Sequence, residues 1–367
     1  MAEKRKIRYA VVGLGWIAQE SVLPAFEHTG NSELVALVTG DPEKARELGD
    51  AYQVRRVVDY AEYDRFLRQD EVDAVYIATP NTEHMDFTVR AARAGVHVLC
   101  EKPMAATSEE CETMIRATAE NNVRLMIAYR LHFEPANLKA IEVIEAGRIG
   151  EPRVFSSVFC QQVEQGNIRL RKTLAGGPLM DMGVYPINAA RYLFRDEPVE
   201  AMCMGGNNGE PRFREVHEAV SLILRFPGDR LASIAVSFGA APIDSWHLAG
   251  TKGSLHLQPA FEYHKPMEIT AIVEGKEYHR EISKHDQFGA EIRYFSDCIL
   301  ENREPEPGGH EGLADIRVVE AAMESMRRGT PVPITATPIH RRPEPDQKIE
   351  LKPVKAKEIV HAESPGS

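Results

Sequence analysis

The sequence has no long hydrophobic run. None of its apolar stretches approaches the roughly 18 residues that a transmembrane helix needs. Residues 1–6 are charged and lead directly into a strand-like segment, so the apolar core and cleavage site of a signal peptide are missing as well. We therefore expect a cytoplasmic protein that does not bind a membrane.

Positive charge and cysteine are also scarce. The chain has 44 lysines and arginines against 55 aspartates and glutamates, which gives a formal net charge of −11. Because nucleic acid binding needs a basic surface, we expect no nucleic-acid partner. The five cysteines are scattered without a Cys-x-x-Cys pair, and no His/Asp/Glu cluster has metal-ligand spacing, so we expect neither a disulfide framework nor a metal site. A small molecule is the default ligand.

The length of 367 residues suggests two domains. Strand-like and helix-like segments alternate through residues 1–128, which predicts an α/β domain with a doubly wound parallel sheet. Longer alternating runs in residues 129–334 predict an α+β domain built on one large, mostly antiparallel sheet. Residues 335–367 are rich in proline, lysine and glutamate; this composition is typical of a disordered tail, but we favour an extended arm that lies on the body or on a neighbouring subunit.

A glycine-containing loop, GLGWIA at residues 13–18, lies between the first predicted strand and a helix. Glycines allow the backbone to approach a pyrophosphate, and a helix N-terminus offers N–H groups to it. We assign Gly13, Gly15, Trp16 and Ile17 to a dinucleotide. The alternative is a turn that only packs the strand on the helix.

The end of the second predicted strand bears on which dinucleotide binds. An NAD site places an acid there, whereas this chain has Thr39, with Lys44 one turn into the next helix. A hydroxyl and an ammonium suit a 2′-phosphate, so NADP is favoured and NAD remains possible. Asp41 is the counter-argument, but it fits better as the cap of the helix that follows.

The fourth predicted strand is followed by Thr79, Pro80 and Asn81, on the same rim as the glycine loop. We predict that these residues contact the cofactor. His84 starts the next helix, where it either faces the cofactor or makes ordinary hydrogen bonds.

Two further segments predict a proton-transfer site. Glu101-Lys102-Pro103 follows an apolar run and so places an ammonium at the edge of the parallel sheet. Asp181 and Tyr185 lie four residues apart after a Gly-Gly-Pro turn, on one face if the segment is helical. An ammonium beside a phenol lowers the phenol pKa, so the tyrosine could exchange protons near neutral pH if the fold brings the segments together.

These motifs, in this order and spacing, resemble the Gfo/Idh/MocA oxidoreductases over roughly residues 5–330. The resemblance rests on the loop at 13–18, Thr79-Pro80-Asn81, Glu101-Lys102-Pro103 and the segment from Gly176 to Gly183. Many members have histidine where this chain has Tyr185. With Tyr185 at this position and with its segments 129–135 and 188–193, the chain resembles the glucose–fructose oxidoreductase branch and its dihydrodiol and xylose dehydrogenase relatives.

The resemblance implies a Rossmann domain, an open-faced C-terminal sheet, and homodimers or homotetramers packed through that sheet. It implies a nicotinamide cofactor bridged by Glu101, Lys102 and a cis bond before Pro103. It implies Lys102 and Tyr185 at the reacting carbon with Asp181 nearby. The remaining contacts that it implies are with the 2′-phosphate (Thr39, Lys44), with the cofactor (Arg130) and with the nicotinamide end (Tyr60).

The expected activity is reversible hydride transfer between NADP and a sugar or related polyol. Tyr185 would take the hydroxyl proton, Lys102 would lower its pKa, and Asp181 would orient a hydroxyl or the lysine. Arg169 precedes the glycine turn and is a candidate substrate contact. The alternatives are a trans-dihydrodiol or xylose dehydrogenase-type enzyme, a non-catalytic nucleotide-binding sensor and, ranked last, a metal-dependent hydrolase.

Overall fold

The computed structural model of the protein describes residues 5–366. Residues 1–4, part of the charged start, and Ser367, the end of the predicted arm, lie outside the described residues. Contacts divide the chain into two compact units. The first unit contains the residues up to Arg130, Asp286–Gly312 and Glu350–Ser364, and the second contains Leu131–His285, Leu313–Ile349 and the residues from Pro365.

The first unit is built on a six-stranded sheet in which every pair is parallel. Its strands are short apolar runs, as expected for strands that helices cover on both faces. Their spatial order is β3-β2-β1-β4-β5-β6. The strands, numbered in chain order, are β1 (Ile7–Val12), β2 (Ser32–Val38), β3 (Arg56–Val58), β4 (Ala74–Ile77), β5 (His97–Cys100) and β6 (Leu125–Ile127). This order confirms the predicted doubly wound parallel sheet.

Helices of the first unit follow the strands. The helix after β1 opens with a π-type turn, Ala18–Val22, which continues as Leu23–Ala25. Asp41 caps the helix after β2, as predicted, and its side chain accepts from the N–H groups of Glu43 and Lys44. The other helices of this unit are Tyr63–Leu67, His84–Arg93, Ser108–Glu120 and Gln287–Leu300, with short 3-10 turns at Tyr60–Glu62 and Asn81–Glu83.

Helix Gln287–Leu300 joins the first unit, which corrects the expected division into three consecutive segments. The hydroxyl of Ser296 on this helix lies 2.9 Å from that of Tyr9 and 2.8 Å from that of Ser32. All three side chains are buried, so the helix is fixed to β1 and β2. The arm is divided as well, because Glu350–Ser364 packs in the first unit and the residues before it in the second.

The second unit contains a nine-stranded sheet, mostly antiparallel as predicted. Its order is β14-β13-β12-β11-β7-β10-β9-β8-β15, and only β7 and β10 pair in parallel. The strands are β7 (Pro152–Cys160), β8 (Glu200–Gly206), β9 (Ala219–Phe226), β10 (Arg230–Ser237), β11 (Ile243–Gly250), β12 (Gly253–Gln258), β13 (Met267–Val273), β14 (Lys276–Ile282) and β15 (Val332–Pro333).

Two long helices of the second unit are Pro135–Glu145 and Val184–Phe194, and a third, Gly309–Arg328, belongs to it from Leu313 onward. Helix Val184–Phe194 continues directly from a π-type turn, Leu179–Gly183. Between β15 and Ile349, where the second segment of this unit ends, the chain is irregular except for the short 3-10 turn Pro345–Gln347.

A buried ion-pair network holds helix Val184–Phe194 in place. The fully buried guanidinium of Arg191 lies 2.6 Å from Oδ1 of Asp315, and its Nε and Nη2 lie 2.7 and 3.1 Å from the two oxygens of Glu197. The amide of Asn188 donates to Asp315 at 3.1 Å, and Arg342 reaches Glu197 at 2.7 Å. Removing one member of such a network leaves the others buried without a counter-charge.

We expect the substitution Arg191→Met to reduce the free energy of unfolding by about 3–5 kcal/mol, because buried Asp315 would lose the charge of Arg191 and Glu197 would keep only the second of its two arginines, Arg342. Urea titration followed by circular dichroism measures this change. Arg225→Met is the matched control, since Arg225 is half exposed and pairs with Glu200 and Asp229 at the surface. Its expected cost is at most about 1 kcal/mol. Equal effects of the two substitutions would contradict this account.

Candidate active site

The glycine loop of the first unit leaves room for a ligand. Gly13 donates its N–H to Val38 O at 3.0 Å and has a φ of 87°, and a Cβ there would lie 2.8 Å from backbone atoms of Ala78 and Thr79. A side chain at Gly13 is therefore excluded. At Gly15 a Cβ would meet no atom within 4 Å. The loop borders open space at the start of a helix, where Trp16 and Ile17 lie, and this suits a pyrophosphate.

The rim after β4 offers a polar group as well. The hydroxyl oxygen of Thr79 is buried and has no hydrogen-bond partner among the described residues. Buried hydroxyls are normally bonded, so this one fits a ligand that would bond it. Pro80 and Asn81 follow and are half-buried, with Asn81 opening a short 3-10 turn.

No acidic residue lies at the end of β2. Thr39 occupies this place, buried, with its N–H on Val58 O at 3.0 Å and its hydroxyl accepting from the Asp41 N–H at 3.2 Å. The Oδ1 of Asp41 accepts from the N–H groups of Glu43 and Lys44 at 2.9 and 3.2 Å. The carboxylate nearest to the strand is thus engaged by its own helix. A hydroxyl and the half-buried Lys44 remain at the position where a dinucleotide ribose binds in such sheets.

Tyr60 lies at this same end of the site. A Cβ on Gly40 would be 3.2 Å from Cδ2 of Tyr60, so the ring covers the backbone next to Thr39. Burial, and after it the charge of Glu83, raise the pKa of Tyr60. A contact with the ribose end therefore fits this position better than the expected contact with the nicotinamide end.

The segment Glu101-Lys102-Pro103 follows β5, and its Lys102–Pro103 bond is cis, as the resemblance implied. Nδ1 and Nε2 of His84 lie 3.0 Å from Pro103 O and 2.9 Å from Thr79 O. His84 is buried, and burial lowers its pKa. The ring thus lies between the backbones of the two rim segments. Of the two alternatives for His84, contact with the cofactor or ordinary hydrogen bonds, this arrangement favours the second.

Three buried side chains form a chain of hydrogen bonds behind the lysine. The hydroxyl of Tyr76 lies 2.8 Å from Oε1 of Glu101 and 2.8 Å from Oε1 of Glu291. Tyr76 has only one proton to donate, so one of the carboxyl groups must donate to it. The Lys102 N–H donates to the second oxygen of Glu101 at 3.2 Å. Burial raises the pKa of Glu101, and the charges of Lys102 and Arg130 oppose this rise.

Glu291 therefore carries the proton of this chain. Complete burial, and then the charge of Glu101, raise the pKa of Glu291 far above its ordinary value. Its second oxygen has no partner among the described residues, which also fits a neutral acid. Arg130, after β6, is buried and donates to the side chain of Gln287, which lies on the same helix as Glu291.

We expect Glu291→Gln to stabilise the protein increasingly as the pH rises. A carboxyl whose pKa is raised by folding favours the folded state below its ordinary pKa near 4.5 and loses this contribution as pH rises toward the folded value. An amide keeps the neutral donor and has no such loss. The difference in unfolding free energy should grow by roughly 1 kcal/mol per pH unit above that point.

Urea unfolding at about pH 5 and about pH 8, both above the ordinary carboxyl pKa and so within the range where the difference grows, measures this difference. Glu33→Gln, which removes an exposed carboxyl from the first unit, is the control and should show no such trend. A stability gain that is independent of pH would show that Glu291 is ionised in the folded protein.

In the second unit, Tyr185 lies in the first turn of helix Val184–Phe194, and Asp181 lies in the π-type turn before it. The Tyr185 ring contacts Phe159 and Phe261, with ring centroids 6.0 and 5.9 Å away. Asp244 holds the Phe261 backbone by accepting its N–H at 2.8 Å. The two phenylalanines were missed at the sequence level, because an aromatic residue on a strand indicates only packing.

Asp181 is paired with Arg169. Nε of Arg169 lies 2.9 Å from Oδ2 of Asp181, and both side chains are partly exposed. Arg169 lies in the short 3-10 turn Ile168–Leu170, which Asn167 caps by accepting the Arg169 N–H at 3.1 Å. Gly176 completes this arrangement, because a Cβ there would lie 2.4 Å from the Arg169 carbonyl oxygen. Asp181 and Arg169 are thus in direct contact, and their places at a substrate site stay predictions.

Within residues 5–366, no group of three or more His, Cys, Asp or Glu side chains is arranged to hold a metal ion. No helix in that range is long and apolar enough to cross a membrane. The five cysteines are all buried and unpaired with one another.

Comparisons with known proteins agree with this geometry. Residues 7–129 match the model of an oxidoreductase family with an NAD-binding Rossmann fold, and residues 137–256 match the GFO/IDH/MocA C-terminal domain. The D-xylose 1-dehydrogenase [NADP(+)] of Haloarcula marismortui is 33% identical over 88% of this chain and 92% of its own length. The chain belongs to the Gfo/Idh/MocA oxidoreductase family.

Two other relatives illustrate the range of this family. The crystal structure of the aldose-aldose oxidoreductase from Caulobacter crescentus, complexed with glycerol, has a TM-score of 0.86 and 37% identity over 90% of this chain and all of that one. A dTDP-3,4-didehydro-2,6-dideoxy-alpha-D-glucose 3-reductase of Streptomyces violaceoruber is 31% identical over 80% of this chain and 86% of its own. As a Gfo/Idh/MocA protein, the chain is an oxidoreductase with a Rossmann domain for a nicotinamide dinucleotide.

Proposed function

We propose that the protein is an NADP-dependent oxidoreductase that transfers hydride between the nicotinamide and a carbinol or carbonyl carbon of a sugar, with an aldose as the preferred substrate. The observation that carries the choice of NADP is the end of β2, where Thr39 and Lys44 lie and the Asp41 carboxylate is turned toward its own helix. The relatives named above support the sugar, because two of them act on aldoses by name.

The chain's own residues hold the cofactor and position the substrate. NADP, when bound, supplies the hydride acceptor or donor. The loop at Gly13 and Gly15 would cradle its pyrophosphate, and the orphan hydroxyl of Thr79 would bond it from the rim. Thr39 and Lys44 would hold the 2′-phosphate. The buried chain from Glu291 to Glu101 keeps the segment around Lys102 in place.

The second unit would bind the sugar. The carboxylate of Asp181 accepts from sugar hydroxyls and the guanidinium of Arg169 donates to them, and their mutual contact orients both. The rings of Phe159 and Phe261 shield the Tyr185 phenol from water on two sides. Tyr185 would take the hydroxyl proton as hydride leaves the carbon and would return it in the reverse direction. Lys102 lies in the first unit, and its action on the same carbon stays a prediction.

A homodimer or homotetramer is part of the proposal. Large apolar side chains are exposed on several strands of the nine-stranded sheet; they include Val154, Met204, Ile223, Leu231 and Ile272. Because residues of one face of a sheet recur at every second position, such side chains can form a continuous apolar surface for a second copy. The cytoplasmic location and the absence of nucleic-acid and membrane partners stay predictions.

The activity is tested by following absorbance at 340 nm with purified protein, NADP⁺ or NAD⁺, and a panel of aldoses, polyols and dihydrodiols. We expect a signal with NADP⁺ and one class of aldoses. Tight nucleotide binding without turnover on any compound would instead support the non-catalytic sensor.

We expect Tyr185→Phe to lower kcat by about 100- to 10,000-fold, because phenylalanine has no phenolate oxygen to accept the proton and become a hydroxyl. NADP⁺ affinity should stay nearly the same, since Tyr185 lies in the second unit and the proposed cofactor residues in the first. Steady-state kinetics and nucleotide titration measure the two effects. Tyr278→Phe on the edge strand β14 is the control, because its hydroxyl is exposed.

The variants Lys102→Met and Tyr185→Phe, alone and combined, test whether the two residues act together. Groups that act as a unit give grossly non-additive losses, so the double variant should be hardly slower than the worse single variant. Fully additive losses in kcat would show that Lys102 and Tyr185 do not share a step.

A further inference from the structure

The end of the C-terminal arm lies on the nucleotide-binding elements of the first unit. The buried amide of Gln19, on the helix after the glycine loop, accepts the Val360 N–H at 2.8 Å and donates to Val360 O at 2.8 Å. The same amide nitrogen donates to Leu14 O at 2.8 Å, inside the loop itself. One side chain thus fixes the arm to the loop, and Val360 is buried as a result.

This attachment places His361 at the start of the helix after β2. Its Nδ1 lies 3.1 Å from Oδ2 of Asp41, and its Nε2 lies 2.9 Å from Oε2 of Glu43. Carboxylates only accept, so both ring nitrogens donate when the imidazole is protonated. The hydrogen bond that His361 donates to Asp41 and the charge of Glu43 raise the pKa of His361, and the charge of Lys44 opposes this rise.

The two carboxylates lie next to the proposed 2′-phosphate position. Asp41 follows Thr39 by two residues, and Glu43 precedes Lys44. Their charges would repel a phosphate within the screening distance of about 8 Å in physiological salt. A lone Lys44 would face both of them. The imidazolium of His361 adds a positive charge and engages the oxygens of Asp41 and Glu43 that could otherwise bind a ribose hydroxyl.

We propose that His361 is a specificity-determining residue for the 2′-phosphate of NADP, and that the arm exists in part to deliver it. This inference rests on the proposed use of NADP. A dinucleotide without the 2′-phosphate gains nothing from the positive charge and loses a carboxylate partner, so His361 favours NADP over NAD.

The test is direct nucleotide binding by the full-length protein, measured by calorimetric titration with NADP⁺ and NAD⁺ for the wild type and His361→Ala. We expect the substitution to weaken NADP⁺ binding by about fivefold, the upper end for an exposed charge pair, with NAD⁺ binding unchanged or tighter. His279→Ala is the matched control, because His279 is equally exposed and pairs with Glu268 on the sheet of the second unit.

The pH dependence provides a second readout. Wild-type preference for NADP⁺ should fall between about pH 6 and about pH 9 as His361 loses its proton. His361→Arg keeps the charge at both pH values, so it should restore the preference and remove this part of the pH dependence. Hydrogen exchange at the Val360 amide checks that the arm stays docked in each variant.

The outcomes separate this inference from the proposed function. A wild type that binds NADP⁺ no better than NAD⁺ would overturn both the cofactor and the role of His361. A wild type that prefers NADP⁺, with the same preference in His361→Ala and a docked arm, would overturn the role of His361 alone.

Discussion

The parallel pairing of six strands is the constraint on which the cofactor half of the protein depends. Because all six strands point the same way, their carboxyl ends form one edge of the sheet, and each end contributes a short polar segment there. Gly13 follows β1, Thr39 follows β2, Thr79 follows β4 and Glu101 follows β5. The close approach of Gly13 to the backbone of Ala78 shows how tightly two of these segments meet. Segments that are up to 88 residues apart in sequence, from Gly13 to Glu101, come to the same edge through this single geometric rule.

Much of this half could be predicted from the sequence, because its signals are local. A few consecutive residues are enough to recognise apolar runs of strand length, the Asp41 cap and the glycine loop. The second unit was harder. Strand β14 is exposed on both faces along most of its length, so it has no alternation to detect. In the first unit, the amphipathic pattern of helix Gln287–Leu300 shows that one face is buried, but not which sheet covers it.

Contacts between distant buried polar groups could not be predicted at all. Arg191 and Asp315 are 124 residues apart, and Tyr76 and Glu291 are 215 apart. Nothing in their local sequence distinguishes them from exposed charges, since burial of a charge is decided by the fold and by its partner. The same holds for His361, which lies in a segment whose composition is typical of a disordered tail. The residues predicted for the site lie in recognisable sequence motifs, whereas the buried residues that support it lie outside any motif.

The division of the chain has a consequence for synthesis. The first unit starts first, but it also needs the helix at Gln287–Leu300 and the residues Glu350–Ser364. The helix is synthesised after strands β1–β14 and Glu350–Ser364 after every strand of both sheets, and domains commonly fold while the chain is still emerging. The nucleotide-binding half can therefore be completed only after strands β7–β15 of the second unit have been made, although its glycine loop precedes all of them. Until Leu300 has emerged, β1 and β2 lack the helix whose Ser296 bonds Tyr9 and Ser32.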